Sequence, residues 1–500
     1  MDGTILPAPE ASGCHGGRDT MLAAAREAGK SATLDRLIAD YPRGPHDQPQ
    51  SMCPAFGSLR VGLRMRRVAT VLCGSACCVY GLTFTSHFYG ARRTVGYVPF
   101  NSESLVRGEL YEDIRNAVVE LANPADYDAV VVINLCVPTA SGVPLDRLPK
   151  AIEGVRIIGI DVPGFGVPTH AEAKDVLAGA MLRYARSEAE AGPVSRPRAL
   201  VEDRPTVALI GELFPADPVG VGALLAPMGL AVAPQVPTRE WRDLYGALDC
   251  VAAAALHPFY VATIREFHAA GRPVVGSGPV GVEGTSAWLE AIGAAAHAAP
   301  AQIDAAKAAA LPAIRASLQA NPIAARITVS GYEGSELLVA RLLIEAGAEV
   351  PYVGTACPRT EWSAGDCAWL EAHGAHVQYR ASLEQDIAAM EEVRPDLAVG
   401  TTPLVQRAKS RGVPSLYFTN MVSARPLFGP AGAAALAGIV AAQTAGRERY
   451  ARMVGFFDKV GAGATAGYGF SDVPKDPPGL RERNRKAREA KARASAAVGT

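Results

Sequence analysis

The 500-residue sequence lacks the features of a membrane or secreted protein. It has no stretch of eighteen or more apolar residues, so we expect no membrane-spanning helix. Its N-terminus has no basic segment followed by an apolar one, which argues against a secretory signal peptide. These absences predict a cytoplasmic protein.

The sequence also lacks an excess of charge of either sign. Its 49 basic and 50 acidic residues give a formal net charge of −1, so no overall field attracts nucleic acid. The nine cysteines do not form the two close pairs of a zinc ribbon, and their irregular spacing favours reduced thiols or metal ligation over disulfides. No Ser-His-Asp or Cys-His arrangement can be assigned, so catalytic residues are not predicted.

Two short segments match nucleotide-binding patterns only loosely. Residues 24–31, AAREAGKS, lie in an alanine-rich helical run with no strand before them, so they cannot form a phosphate cradle. Residues 276–281, GSGPVG, match the dinucleotide fingerprint after a predicted strand at 272–275, but Pro279 has no backbone N–H to donate to a pyrophosphate. We expect a structural turn there, and a nicotinamide-dependent oxidoreductase is the least favoured alternative.

Apolar β-branched runs alternate with helical segments along most of the chain, which predicts an α/β fold of about three doubly wound domains of ~150 residues. We expect an N-terminal extension at 1–50, α/β domains at 51–186, 205–300 and 326–445, and a helical, basic C-terminal extension at 446–500. A linker is expected at Ser187–Arg204. Predicted strands lie near Val68, Thr94, Val130, Ile157, 206–211, 230–236, 250–256, Ile327, Val350, Val377, Leu397 and Ser415.

Three cysteines stand where a strand or an entry loop gives way to a turn. Cys78 follows an apolar run and small residues, Cys136 follows the apolar run at 128–135, and Cys53 lies in a Pro- and Gly-containing loop. Ligands gather at the carboxyl ends of strands in open α/β sheets, so we interpret these cysteines as metal ligands. The alternative is that they are buried small hydrophobes, because free cysteine is among the most buried residue types.

Two further cysteines, Cys73 and Cys77, lie close to Cys78 in the sequence. We expect Cys73 to belong to the core, and Cys77 is an alternative ligand to Cys78. A 4Fe-4S cluster usually takes four cysteines, so three leave one ligand to come from another chain or from another residue type.

Residues 74–80, GSACCVY, resemble the cysteine-bearing turn of the nitrogenase component-one superfamily, and Cys53 and Cys136 fall at spacings similar to its other cluster cysteines. Residues 163–166, 278–285 and 327–334 are similar to further loops of that superfamily. The resemblance runs from about residue 51 to about residue 470. Within the superfamily it is greatest to the Y-type subunits of chlorophyllide a reductases. The segment VPTASG after Cys136 departs from the nitrogenase pattern.

This resemblance implies three Rossmann-like domains and a 4Fe-4S cluster held by Cys53, Cys78 and Cys136. It implies that a partner, the Z subunit, supplies the fourth ligand in a heterotetramer. A separate ATP-hydrolysing iron protein, the X subunit, would dock transiently and pass on single electrons, so this chain would not use ATP itself. The electrons would reduce the C7=C8 bond in ring B of chlorophyllide a during bacteriochlorophyll synthesis.

We further expect Gly74, Ser75 and Ala76, because of their small side chains, to present backbone amides to the cluster. Two alternatives remain open. The chain could be a subunit of dark-operative protochlorophyllide reductase, or a non-catalytic scaffold on which a nitrogenase-type cofactor is assembled.

Overall fold

A computed structural model describes residues 53–88, 95–195, 204–211 and 217–460, together with Lys486. Within these residues three α/β units follow one another, each built on its own sheet. The predicted N-terminal extension, the run at 24–31 and nearly all of the basic tail lie outside the described residues.

The first unit has a five-stranded sheet in the order β2-β1-β3-β5-β4. Its strands are β1 (Val68–Gly74), β2 (Val95–Pro99), β3 (Ala129–Asn134), β4 (Ala151–Ile152) and β5 (Val155–Asp161). Its helices are α1 (Ala55–Arg64), α2 (Ala76–Phe88), α3 (Ser102–Arg107), α4 (Leu110–Leu121), α5 (Cys136–Ala140) and α6 (His170–Ala191). Every residue of β1 and β3 is buried, which explains their unbroken apolar runs. Only the short β4 pairs antiparallel, and all the other pairings are parallel.

The second unit has a four-stranded parallel sheet in the order β7-β6-β8-β9. Its strands are β6 (Thr206–Ile210), β7 (Ala231–Val232), β8 (Ala252–Ala255) and β9 (Val274–Gly276). Its helices are α7 (Pro218–Leu225), α8 (Trp241–Leu248), α9 (Val261–Ala269), α10 (Gly281–Ala295) and the long α11 (Pro300–Ala320), which packs on α10.

The third unit has a five-stranded parallel sheet in the order β12-β11-β10-β13-β14. Its strands are β10 (Arg326–Gly331), β11 (Glu349–Thr355), β12 (His376–Tyr379), β13 (Leu397–Gly400) and β14 (Ser415–Tyr417). Its helices are α12 (Glu336–Glu345), α13 (Ala364–Ala372), α14 (Leu383–Val393), α15 (Thr402–Ser410), α16 (Phe418–Ser423) and α17 (Gly429–Ala445), followed by α18 (Arg447–Val460). All five strands lie where the sequence predicts them.

The three units share continuous hydrophobic cores. On β6, Val207 and Leu209 belong to a core that extends into the third unit, whereas Ala208 and Ile210 belong to one that extends into the first. Because successive strand residues point to opposite faces, the second sheet contributes one face to each core. The fold is therefore the predicted three-domain arrangement of parallel sheets.

One boundary differs from the prediction. The expected linker at Ser187–Arg204 begins inside α6, which continues to Ala191. In this last turn Glu188 accepts hydrogen bonds from Arg156 and from two side chains of α8. None of the helices in the described ranges has the length and apolarity needed to cross a membrane.

Candidate metal centre

Each of the three predicted ligand cysteines stands at the start of a helix. Cys53 lies two residues before α1, Cys78 is the third residue of α2, and Cys136 is the first residue of α5. The strands β1 and β3 pair in parallel, so the connections that leave them toward α2 and α5 emerge at the same sheet edge. The fold therefore brings Cys78 and Cys136 to one edge of the first sheet, and α1 packs against β1 and α2 beside them.

All three cysteines are exposed residues. Partial desolvation by surrounding protein atoms raises the pKa of the Cys53 thiol, and the negative charges of Cys136 and Cys78 raise it further. Cys78 and Cys136 therefore lie within electrostatic range of Cys53, in keeping with the contact of α1 with α2. Among the described residues, no three His, Cys, Asp or Glu side chains are grouped to hold a single metal ion. In a multi-iron cluster, however, each cysteine binds a different iron, so its ligands need not meet at one point.

Two hydrogen bonds reach the sulfur atoms from neighbouring segments. The backbone N–H of Gly164 donates to Sγ of Cys136 across 3.1 Å, and the Ser75 hydroxyl donates to Sγ of Cys78 across 3.2 Å. Gly164 lies in the loop that follows β5. The sequence identified that loop by resemblance but did not predict its contact with Cys136, although a glycine after the strand next to β3 was the available signal.

The predicted amide donors occupy three different positions. Gly74 ends β1, where a Cβ atom would lie 2.7 Å from Cδ1 of Leu135, so its small size is required for packing. Ser75 uses its side chain toward Cys78, while Ala76 begins α2 and carries one of the first N–H groups of that helix, which have no acceptor within it. That these amides face a cluster stays a prediction.

The neighbouring cysteines differ sharply in environment. Cys73 is fully buried in β1 and belongs to the core, and burial raises the pKa of its thiol well above the usual value. Cys77 is exposed, and its hydrogen bonding with Ser75 and then with Cys78 lowers the pKa of its thiol. Cys77 therefore stays an alternative ligand to Cys78. Of the remaining cysteines, Cys250, Cys357 and Cys367 are buried, and Cys14 lies outside the described residues.

Large apolar side chains are exposed on the segments that carry Cys78 and Cys136 and on segments next to them. They are Tyr80 (74% exposed), Phe84 (54%), Phe165 (40%), Tyr97 (38%) and Val137 (37%). The rings of Tyr80 and Phe84 stack with centroids 6.2 Å apart. We call Cys53, Cys78, Cys136 and these five side chains the cysteine face. Exposed apolar groups gathered in this way are typical of a protein–protein interface.

The dinucleotide-like turn at 276–281 is a structural element. The Glu345 carboxylate accepts hydrogen bonds from the backbone N–H groups of Val282 and Glu283, in the first turn of α10. A carboxylate already occupies the position that a pyrophosphate needs, and a Cβ atom at Gly281 would lie within 2.2 Å of it. The expectation of a structural turn agrees with this arrangement.

A pocket of about 670 Å³ lies beside the end of α6, and it is lined in part by Arg156, Glu188, Trp241 and Tyr245. Arg156 donates to both oxygens of Glu188 at 2.7 and 2.9 Å, and Tyr245 and Trp241 donate to the same carboxylate at 2.6 and 3.1 Å. Because these polar groups already satisfy one another, their arrangement indicates a structural network that connects the first and second units.

Comparison with known proteins shows the family of this chain. A family model described as nitrogenase component 1 type oxidoreductase matches residues 53–444. A relative from Cereibacter sphaeroides, named chlorophyllide reductase 52.5 kDa chain, is 66% identical over 488 residues, covering 98% of this chain and 97% of the relative. A protein of the same name from Rhodobacter capsulatus is 65% identical over 486 residues, covering 97% of each chain.

Two solved structures share the fold at low sequence identity. They are titled "Nitrogenase Cp1 at pH 6.5" and "Nitrogenase Cp1 at pH 5", each with a TM-score of 0.62, at 17% and 12% identity. They cover 83% and 85% of this chain and 93% and 97% of their own. The exposed thiols of Cys53, Cys78 and Cys136 are the donor type that iron–sulfur clusters require. The chain belongs to the nitrogenase component 1 type oxidoreductase family.

Proposed function

We propose that this chain is the Y subunit of the catalytic component of chlorophyllide a reductase. In this role it relays electrons through a 4Fe-4S cluster to reduce the C7=C8 bond in ring B of chlorophyllide a. The observation that supports the proposal is that three exposed cysteines stand at helix starts in the first unit, two of them at one edge of its sheet. This arrangement occurs in a chain two-thirds identical to proteins named chlorophyllide reductase chains.

Cys53, Cys78 and Cys136 would hold the cluster, which supplies one-electron transfer when bound. The N–H of Gly164 and the hydroxyl of Ser75 draw electron density from two of the ligand sulfurs. Such hydrogen bonds stabilise the more negative, reduced state and therefore raise the reduction potential.

The fourth ligand would come from the Z subunit. Three thiolates leave a 4Fe-4S cluster one ligand short, and Cys77 and Cys78 are consecutive helical residues that point in directions about 100° apart. The apolar side chains of the cysteine face favour a second protein chain as their cover. We infer a heterotetramer of two Y and two Z subunits with a cluster at each Y–Z contact.

Electrons would arrive from the X subunit, a separate iron protein that hydrolyses ATP. The one dinucleotide-like turn among the described residues carries Glu345 in its anion position, which supports assigning ATP use to another chain. Each product requires two electrons and two protons. The iron protein would therefore deliver its single electrons to this chain in two successive encounters.

The proposal is tested by anaerobic co-expression with candidate Z subunits, followed by reaction with the iron protein, ATP and chlorophyllide a. We expect a product heavier by two hydrogens, with the absorption change of a reduced ring B. Reduction of protochlorophyllide instead would assign the chain to the dark-operative reductase. Release or transfer of the cluster to another protein without substrate reduction would identify an assembly scaffold.

A further inference from the structure

The helix that carries Cys136 is too short to be stable by itself. α5 has five residues, Cys136–Ala140, and Pro138 in its middle has no N–H to donate. Fixing the first turn of a helix costs more free energy than so few hydrogen bonds recover. The position of the Cys136 sulfur therefore depends on the contacts that α5 makes with neighbouring segments.

Asp161, the last residue of β5, provides two such contacts through one oxygen atom. Its Oδ1 accepts a hydrogen bond from Nδ2 of Asn134 and another from the Thr139 hydroxyl, each across 3.0 Å. Asn134 and Asp161 are paired residues of the parallel strands β3 and β5, which explains why their side chains meet. Asp161 thus connects the end of β3, just before Cys136, with α5, just after it.

The Asn134 side chain is itself firmly held. It is completely buried, and its Nδ2 also donates to the carbonyl oxygen of Val143, beyond the end of α5, across 3.4 Å. Its backbone carbonyl accepts the N–H of Val162 across 2.9 Å. Asn134 therefore orients the Asp161 carboxylate toward α5.

The segment that begins with Asp161 also contacts the sulfur directly. Cys136 and Thr139 are three residues apart and lie on the same face of α5. Gly164, three residues after Asp161, donates its N–H to Sγ of Cys136 across 3.1 Å. One short segment at the end of β5 therefore fixes the helix through Thr139 and supplies a hydrogen bond to the sulfur of Cys136.

We propose that Asp161 is a positioning residue for the metal centre, which holds the sulfur of Cys136 in place through Asn134 and Thr139. This inference rests on the proposed function, because it requires Cys136 to be a cluster ligand. Both donors use Oδ1, and none of the described residues donates to Oδ2. The two hydrogen bonds, and not the negative charge, therefore produce the effect. Residues that orient a metal ligand in this way typically change metal affinity by about 10- to 100-fold when they are replaced.

The test uses the complex assembled anaerobically with the Z subunit. Asp161→Ala removes the acceptor, whereas Asp161→Asn keeps Oδ1, which can still accept both hydrogen bonds. Thr139→Val removes one donor at nearly constant size and charge. Asp128→Ala is the matched control, because Asp128 precedes the opposite end of β3 and accepts from Arg67 across 2.9 Å.

Three quantities are measured: hydrogen exchange of the α5 amides by mass spectrometry, the rate of iron loss to bathophenanthroline disulfonate, and the midpoint potential of the cluster. We expect the α5 amides of Asp161→Ala to exchange, and its iron to be lost, about tenfold faster than in wild type. Asp161→Asn and the control should stay within about twofold of wild type in both rates.

Thr139→Val should show smaller increases in both rates and a more negative midpoint potential. The potential falls because the Cys136 sulfur moves away from the Gly164 N–H and the reduced state loses that hydrogen bond. The Tm should stay that of wild type, since the contact that Thr139→Val breaks is exposed.

Wild-type exchange and iron retention in Asp161→Ala would overturn the inference. Equally fast iron loss from Asp161→Asn would also overturn it, since the charge and not the hydrogen bonds would then act. If Asp161→Ala does not assemble, Thr139→Val decides, and a wild-type potential with wild-type iron retention would overturn the inference alone. A wild-type complex without iron would contradict the proposed function, and this inference with it.

Discussion

The backbone N–H of Gly164 donates a hydrogen bond to Sγ of Cys136, with the nitrogen and sulfur 3.1 Å apart. This contact connects the loop after β5 with the first residue of α5. It identifies a backbone donor that would tune the electronic properties of a cluster ligand without itself binding iron.

Replacing Gly164 by proline removes that donor and should make the midpoint potential of the cluster more negative, because the reduced state loses a stabilising hydrogen bond. Gly164→Ala is the control: it keeps the N–H, and its Cβ atom would lie at an ordinary contact distance of 3.5 Å from the sulfur. A redox titration followed by electron paramagnetic resonance measures both potentials. Equal potentials in the two variants would show that this hydrogen bond has no influence.

Gly57 allows α1 to approach α6, and this approach positions Cys53. A Cβ atom at Gly57 would lie 1.8 Å from the carbonyl oxygen of His170, so Gly57→Ala must push the two helices apart. We expect a loss of about 3 kcal/mol in the free energy of unfolding, seen as a lower Tm. Gly81→Ala in α2, where no heavy atom lies within 4 Å of the added Cβ, should leave the Tm unchanged or slightly higher. Equal Tm values in the two variants would contradict this packing argument.

Glu336 predicts a pH-dependent contribution to stability. Burial raises its pKa from 4.5 to about 7, despite hydrogen bonds from the backbone N–H groups of Glu333 and Gly334 and from the Thr355 hydroxyl. The folded state therefore binds a proton more tightly than the unfolded state. Its stabilising effect is complete below pH 4.5 and is lost as the pH rises to about 7.

Glu336→Gln removes this titration, so between pH 4.5 and 7 wild type should lose on the order of 3 kcal/mol relative to the variant. The measurement is the difference in Tm between the two proteins across that range. A constant difference would show that Glu336 titrates at its ordinary pKa in the folded protein.

Much of the fold could be predicted because its strands are buried on both faces. The strands β1 and β3 appear in the sequence as almost continuous apolar runs, which are typical of a parallel sheet covered on both faces. The two-residue β4 and the end of α6 were not predicted, because so short a pairing has no periodicity and helix ends depend on tertiary contacts.

The candidate site was predictable only in part. Cys53, Cys78 and Cys136 follow strands or precede an apolar segment, so their positions relative to the sheet could be inferred. The contacts of Gly164 with Cys136 and of Asp161 with Thr139 join distant parts of the chain, and no local pattern specifies them. At these three cysteines the sequence predicted turns, whereas the structure has the starts of helices.

The central claim is that Cys53, Cys78 and Cys136 hold a cluster, and iron and sulfide analysis tests it most directly. The complex is co-expressed anaerobically with the Z subunit, as wild type and with each of these cysteines changed to alanine. Cys73→Ala, in the buried core, and Cys77→Ala, on the exposed first turn of α2, are the controls. We predict about four irons per heterodimer in wild type and both controls, and loss of iron in each of the three variants. Iron that survives all three changes, or that is lost equally in the controls, would contradict the assignment and the electron relay that depends on it.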